Sequence, residues 1–213
     1  GETRVLDYRP TGKPPHWFWE RARDCAFFSD LLILVGEVHG QHEDEKVARD
    51  RLFFAQAPLA YPDIVWFVDP PGTKPQTGAQ AITIDHEGNL VLAAFSCDDN
   101  CVPEVDLRFL DDQLAITNQI SLGTYPTKQL GTQALAWHPA GYAVIATGGP
   151  KGNESAFSVR AFSPTGDTPL WTFARKDAGT FHLALALTLG RYGEVYAGGL
   201  GANGYPAVAY IGG

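Results

Sequence analysis

The densest run of side chains able to bind a cation or move a proton is His39-Gly40-Gln41-His42-Glu43-Asp44-Glu45. Its imidazoles and carboxylates are the donor types that hold a divalent metal, with His39, His42 and Asp44 as the candidate ligands. The spacing differs from the helical zinc motif, in which two His stand one turn apart around a Glu. A solvated, charged loop leaving a strand explains the same residues, and no other cofactor is expected. A second acidic stretch, Asp98, Asp99, Asn100, Glu104 and Asp106, carries oxygen ligands of the calcium type. It lacks the EF-hand register and the glycine of its sharp turn, so an acidic surface loop is the simpler reading.

Cys97 and Cys101 bracket the start of that stretch, and oxidation would close a small loop at a strand end. The alternative, a thiolate metal site, needs four ligands for structural zinc, and there is no second cysteine pair. A disulfide between Cys97 and Cys101 is therefore expected, and with it an extracellular or periplasmic compartment. Cys25 lies in an apolar stretch and reads as an inert buried thiol. Asp85, His86, Trp137 and His138 stand at strand ends beside turns, where such side chains cap backbone amides more often than they catalyse. Serine-hydrolase elbows, phosphate-cradling glycine loops and dinucleotide fingerprints are absent from the sequence. The cluster His16-Trp17-Phe18-Trp19 puts aromatics on both faces of one strand, and Trp17 or Trp19, if exposed, would anchor a glycan or protein partner.

The net charge of −8 offers nothing to a nucleic-acid backbone or an anionic membrane, so neither is an expected partner. The longest apolar runs, such as Leu31 to Val35 and Leu183 to Leu189, are too short for a membrane-spanning helix and read as buried strands. The chain begins at Gly1 without an initiator Met or a signal-peptide pattern, as a mature or trimmed chain would.

The elements that must position these residues repeat. Gln80 to Asp85, a turn, and Leu90 to Phe95 share one design with Gln133 to His138, a turn, and Ala143 to Thr147. Leu183 to Leu189, a turn, and Glu194 to Gly198 make the third copy. Gly88, Gly141 and Gly193 occupy the turn position that needs positive φ. A degenerate fourth copy runs from Cys25 through Ser29-Asp30 to Gly36. Each hairpin is followed by a second strand pair, clearest in Ala156 to Phe162 and Pro169 to Phe173 around the turn Ser163-Pro164-Thr165-Gly166. Arg4 to Tyr8 and Pro15 to Trp19 around Pro10-Thr11-Gly12 repeat that pair. The pattern is all-β, about four four-stranded antiparallel units at the spacing of β-propeller blades.

In Ile84-Asp85-His86-Glu87-Gly88-Asn89, Val195-Tyr196-Ala197-Gly198-Gly199 and Ser163 to Gly166, the chain resembles the secreted bacterial β-propeller repeat family. The resemblance implies fold and not chemistry. It suggests one domain over 1–213, with units near 25–77, 78–130, 131–179 and 180–213, the last completed by 1–24. Two arrangements follow. The N-terminal strand at Trp17 to Trp19 closes a small propeller by pairing with the last strand, Ala207 to Ile211, or the chain is part of a larger propeller whose other blades lie on another chain. The expected role is non-enzymatic, a binding or scaffolding module for a protein or glycan. The alternatives are a hydrolase or lyase with a central-channel site, and a structural part-propeller that assembles with another chain.

Overall fold

The computed structural model describes residues 17–40, 49–58, 65–68, 76–97, 102–111, 114–124, 134–147, 157–175, 183–200 and 205–212. Among them the chain is entirely β, with four separate antiparallel sheets and no helix. The first sheet holds β1 (Trp17–Phe28), β2 (Leu31–Gly40), β3 (Arg49–Pro58) and β4 (Val65–Val68). The second holds β5 (Gln76–Ile84), β6 (Leu90–Cys97), β7 (Glu104–Leu110) and β8 (Ile116–Thr124). The third holds β9 (Ala134–His138), β10 (Tyr142–Thr147), β11 (Phe157–Phe162) and β12 (Pro169–Arg175). The fourth holds β13 (Leu183–Leu189), β14 (Val195–Leu200) and β15 (Pro206–Ile211). In every sheet the spatial order of the strands is their order along the chain.

Alternation along the middle strands decides how the sheets stack. β6 is buried along its whole length. Leu90, Leu92 and Ala94 enter a core with Ile33, Val35, Leu52 and Phe54 of the first sheet. The intervening Val91, Ala93 and Phe95 enter another with Ala143, Ile145 and Phe162 of the third. A strand covered on both faces loses the usual apolar–polar alternation, which is why this one reads as a continuous apolar run. β10 divides likewise: Val144 and Ala146 pack with Val195 and Ala197 of the fourth sheet. Each such buried Val, Leu, Ile or Phe contributes ~1.5–3 kcal/mol, so apolar packing supplies the cohesion between sheets.

Hydrogen bonds then set how the sheets meet. β5 and β9 are edge strands of the second and third sheets, and a side chain of the preceding sheet takes up one amide of each. Asp24 Oδ2 accepts the Ile82 N–H at 2.9 Å. Thr83 Oγ1 accepts the Trp137 N–H at 3.1 Å. At the last junction the polarity reverses, and His138 Nε2 lies 2.7 Å from the Gly193 carbonyl. Packing therefore runs in series, β5 on β1 to β3, β9 on β5, and β13 on β9 to β11, with no comparable contact between the first and fourth sheets among the described residues.

Gly88 and Gly193 serve two needs at once. Their φ values of +94° and +87° lie in the left-handed region. A Cβ on Gly88 would also stand 2.7 Å from the Phe28 ring, and one on Gly193 would stand 2.6 Å from His138 Nε2. In both cases the turn of one sheet receives a side chain from the end of the preceding sheet's first strand.

Three expectations are corrected. Trp17 to Trp19 do not close the last sheet: they begin β1, a single twelve-residue strand that pairs with β2 from Phe28↔Leu31 to Trp17↔Gly40. No Gly or Pro interrupts 17–28, and the two-residue turn at Ser29-Asp30 carries the ladder through to Gly40. Among the described residues the first sheet thus includes 17–24 ahead of the expected start at 25, and the fourth has three strands. His39 lies within β2 and not in a loop beyond it, because β2 runs on past Gly36 along β3. Cys25 is exposed rather than buried, because Asp24 and Ala26 on either side of it turn to the second sheet and leave Cys25 on the opposite face of β1. The proposed strand Arg4 to Tyr8 lies outside the described residues.

Candidate functional site

Of the candidate metal ligands, His39 is described, while His42 and Asp44 lie outside the described residues. His39 and Asp50 are direct cross-strand partners in β2 and β3. His39 Nδ1 is 2.7 Å from Asp50 Oδ1, so the ring donates from Nδ1 to the carboxylate. A carboxylate on one ring nitrogen is how metal-binding imidazoles are oriented, and it is also an ordinary cross-strand pair. Both side chains are about a third exposed. Among the described residues no three His, Cys, Asp or Glu side chains gather as a metal site.

The most enclosed charge is one the sequence reading missed. Glu37 of β2 is buried, and its Oε1 accepts from Arg23 at 2.6 Å and from Arg21 at 3.2 Å, both on β1. Arg23 is the extra residue of a β-bulge between Ala22 and Asp24. The bulge lets Arg21 and Arg23 reach one carboxylate across the ladder. Glu37 Oε2 lies 3.3 Å from where a Cβ on Gly78 of β5 would stand, so the network faces the second sheet. Only the β1–β2 register reveals it. A smaller network sits on the second sheet, where Gln119 Nε2 donates to Asp106 Oδ2 at 2.7 Å and Arg108 lies 3.6 Å from the same oxygen.

Asp85 and His138, at the ends of the first strands of the second and third sheets, cap backbone groups as expected. Asp85 Oδ1 accepts the amides of Glu87 and Asn89 at 2.8 Å each, and Oδ2 accepts from Asn89 Nδ2 at 2.8 Å. Its carboxylate is the framework of the turn. His138 is buried, and its Nδ1 accepts the Ala140 N–H at 3.0 Å. That leaves Nε2 as the protonated nitrogen, donating to Gly193. The ring stacks on Tyr142 with centroids 4.2 Å apart. Two further donors, Gln80 Nε2 and Trp137 Nε1, are buried without an acceptor among the described residues. Gln80 is itself the bulge residue of β5, between Ala79 and Ala81.

Cys97 ends β6, buried, with its sulfur 3.3 Å from Gln76 Oε1. Cys101 lies outside the described residues, and Cys25 is an exposed free thiol. Trp17 and Trp19 are placed in β1, and their side chains lie outside the described ones. Exposed aromatics gather instead on the fourth sheet: Tyr192 in its turn, Tyr196 on β14, Tyr205 before β15 and Tyr210 on β15.

No protein-family model matches the chain, and no curated protein matches it. Among solved structures it is similar to an acylaminoacyl peptidase of Pyrococcus horikoshii, with a TM-score of 0.42 and 8% identity over 92% of this chain. The chain spans 38% of that protein's length. A likeness at this level carries no argument about activity.

Proposed function

We propose that the chain is a non-enzymatic scaffold, an arc of four consecutive β-propeller blades that presents a rigid surface to a protein partner. One observation supports this above all. Asp24, Thr83, Asp85 and His138, polar side chains on or beside the first strands of the sheets, are used to join sheet to sheet or to build the turns. Four up-and-down sheets stacked face to face in series, each beginning with the strand nearest its neighbours, are what a run of blades requires. A disulfide between Cys97 and Cys101 and an extracellular or periplasmic location belong to the same reading.

Amide exchange tests the stacking directly. Ile82 and Trp137 donate outside their own sheets, so their amides should exchange at least tenfold more slowly than that of the exposed turn residue His86. Exchange of all three at one rate would mean that the sheets do not meet as blades. Turnover of chromogenic esters or glycosides that is lost in Asp50→Asn would contradict the non-enzymatic role.

A further inference from the structure

We infer that the polar end of the junction between the first and second sheets is a saccharide-binding site, in which Glu37 accepts from one hydroxyl and Gln80 and Arg23 donate to its neighbour. The inference goes beyond the scaffold reading and needs only the packing of these two sheets. It begins with equivalence of register. The bulges between Ala22 and Asp24, Ala79 and Ala81, and Ala184 and Ala186 fall opposite Gly36 and Val35, Ala94 and Ala93, and Gly199 and Gly198. One position further along, Glu37 therefore stands where the second sheet has Phe95 and the fourth has Leu200. Phe95 is buried there in an apolar core. A buried carboxylate in a place that an apolar side chain fills elsewhere costs stability, and such costs collect at functional sites.

Both arginines use the same oxygen of that carboxylate. Oε1 accepts from Arg23 at 2.6 Å and from Arg21 at 3.2 Å, and Oε2 accepts nothing among the described residues. The residue of β5 beside Oε2 is Gly78, where a Cβ would stand 3.3 Å from that oxygen and meet the Phe95 ring. Two residues along the same strand, Gln80 is 9% exposed, and its Nε2 has no acceptor among the described residues. β5 is tied to the first sheet on both sides of Gln80. Thr77 Oγ1 accepts the N–H of Leu52, the cross-strand partner of Glu37, and the Ile82 N–H donates to Asp24 beside Arg23. Arg23 and Gln80 are each the extra residue of a bulge, at the same position in adjacent sheets. An unfilled acceptor and an unfilled donor are thus held within a few residues of each other, and together they require a group that both donates and accepts.

Charge narrows the class of that group. Arg21 and Arg23 are offset by Asp24 and Glu37, so the site has no net charge to hold an isolated ion, and a divalent cation would meet two guanidinium groups. Hydroxyls on adjacent carbons of a sugar ring are neutral, stand side by side, and each donates and accepts. A trans peptide unit points its N–H and C=O in opposite directions and fits less well. Arg23 spends one N–H on Glu37 and has further donors for the same hydroxyls, and with its side chain 33% exposed it opens the site to solvent. On the same face of the first sheet the His39–Asp50 pair continues the polar row outward.

The test titrates the isotope-labelled full chain with D-glucose, D-galactose, D-mannose and L-fucose in turn, followed by NMR, and probes an oligosaccharide array with the same chain. A saccharide should move the Gly78 amide and Gln80 side-chain amide signals and leave that of His86, in the turn at the other end of β5, in place. The per-O-methylated form of the sugar keeps the ring, loses the donors and should bind about tenfold more weakly. Gln80→Leu should also bind about tenfold more weakly while melting higher than the parent, and Glu37→Gln should lose binding while melting lower. Loss of binding in both cannot follow from stability. A response to a monosaccharide identifies a free sugar as the ligand, and a response on the array alone identifies a glycan chain. No response to any saccharide, unchanged affinity in Gln80→Leu, or movement of the same signals by N-acetylglycinamide alone would each overturn the inference, the first leaving a bound water as the occupant. Reducing ends released from a bound glycan would leave the site standing and remove the non-enzymatic reading. Fast exchange at the Ile82 amide would remove the sheet junction and the site with it.

Discussion

Replacing His138 by Ala should loosen the junction between the third and fourth sheets by about 3 kcal/mol. The Gly193 carbonyl is buried and would lose its donor at 2.7 Å, a loss that costs ~1–3 kcal/mol. The Ala140 amide is on an exposed turn and rehydrates, so its lost 3.0 Å bond costs only about 0.5 kcal/mol. Loss of the stacked contact with Tyr142 adds ~0.5–1.5 kcal/mol. For a chain of 213 residues the sum corresponds to a fall in melting temperature of roughly 6–12 °C. Urea unfolding followed by Trp fluorescence measures the cost. A double-mutant cycle with Tyr142→Leu isolates the stacking share, expected at about 1 kcal/mol. His86→Ala, at an exposed position one sheet earlier, is the control and should stay within about 0.5 kcal/mol of the parent. A His138→Ala cost no larger than that control would show that the histidine does not tie the sheets.

Gln80→Leu should stabilise the chain by about 1 kcal/mol, because Nε2 is buried without an acceptor; destabilisation in the same urea assay would show that the amide holds a partner. Glu37→Gln should cost about 1–2 kcal/mol rather than the 3–5 of a fully buried ion pair, since Arg21 and Arg23 are partly exposed and regain water. A cost above about 3 kcal/mol would mean that the arginines are enclosed in solution. Gly141→Ala carries the positive-φ cost alone, about 1 kcal/mol, because nothing lies near its Cβ. Gly88→Ala should cost more, since it must also displace the Phe28 ring, and equal losses would show that this contact is not formed. Thiol titration should find one reactive cysteine, Cys25, in the native chain and still one after denaturation without reductant; two or three in the denatured chain would rule out the Cys97–Cys101 bridge.

What the sequence determined by itself was local. The glycine turns at 88, 141 and 193 and the apolar runs beside them are written in neighbouring residues, because positive φ and strand burial are properties of a few consecutive positions. The carboxylate frame of the turn at Asp85 belongs to the same class, since its acceptors and donors lie within five residues. Tertiary structure decided everything that depends on register or on which sheet lies against which. Trp17 to Trp19 looked like an isolated aromatic strand and became the start of β1, because a two-residue turn propagates pairing as far as the partner strand extends. Glu37 meets Arg21 and Arg23 only through that register, and His39 meets Asp50 only through the next one. Cys25 is exposed because it stands on the face of β1 opposite Asp24 and Ala26, and an apolar neighbourhood in the chain does not say which face of a strand is covered. Tyr196 and Tyr210 carry the same letters whether or not a sheet lies over them. Burial is a property of packed faces, and a face exists only once the strands are paired.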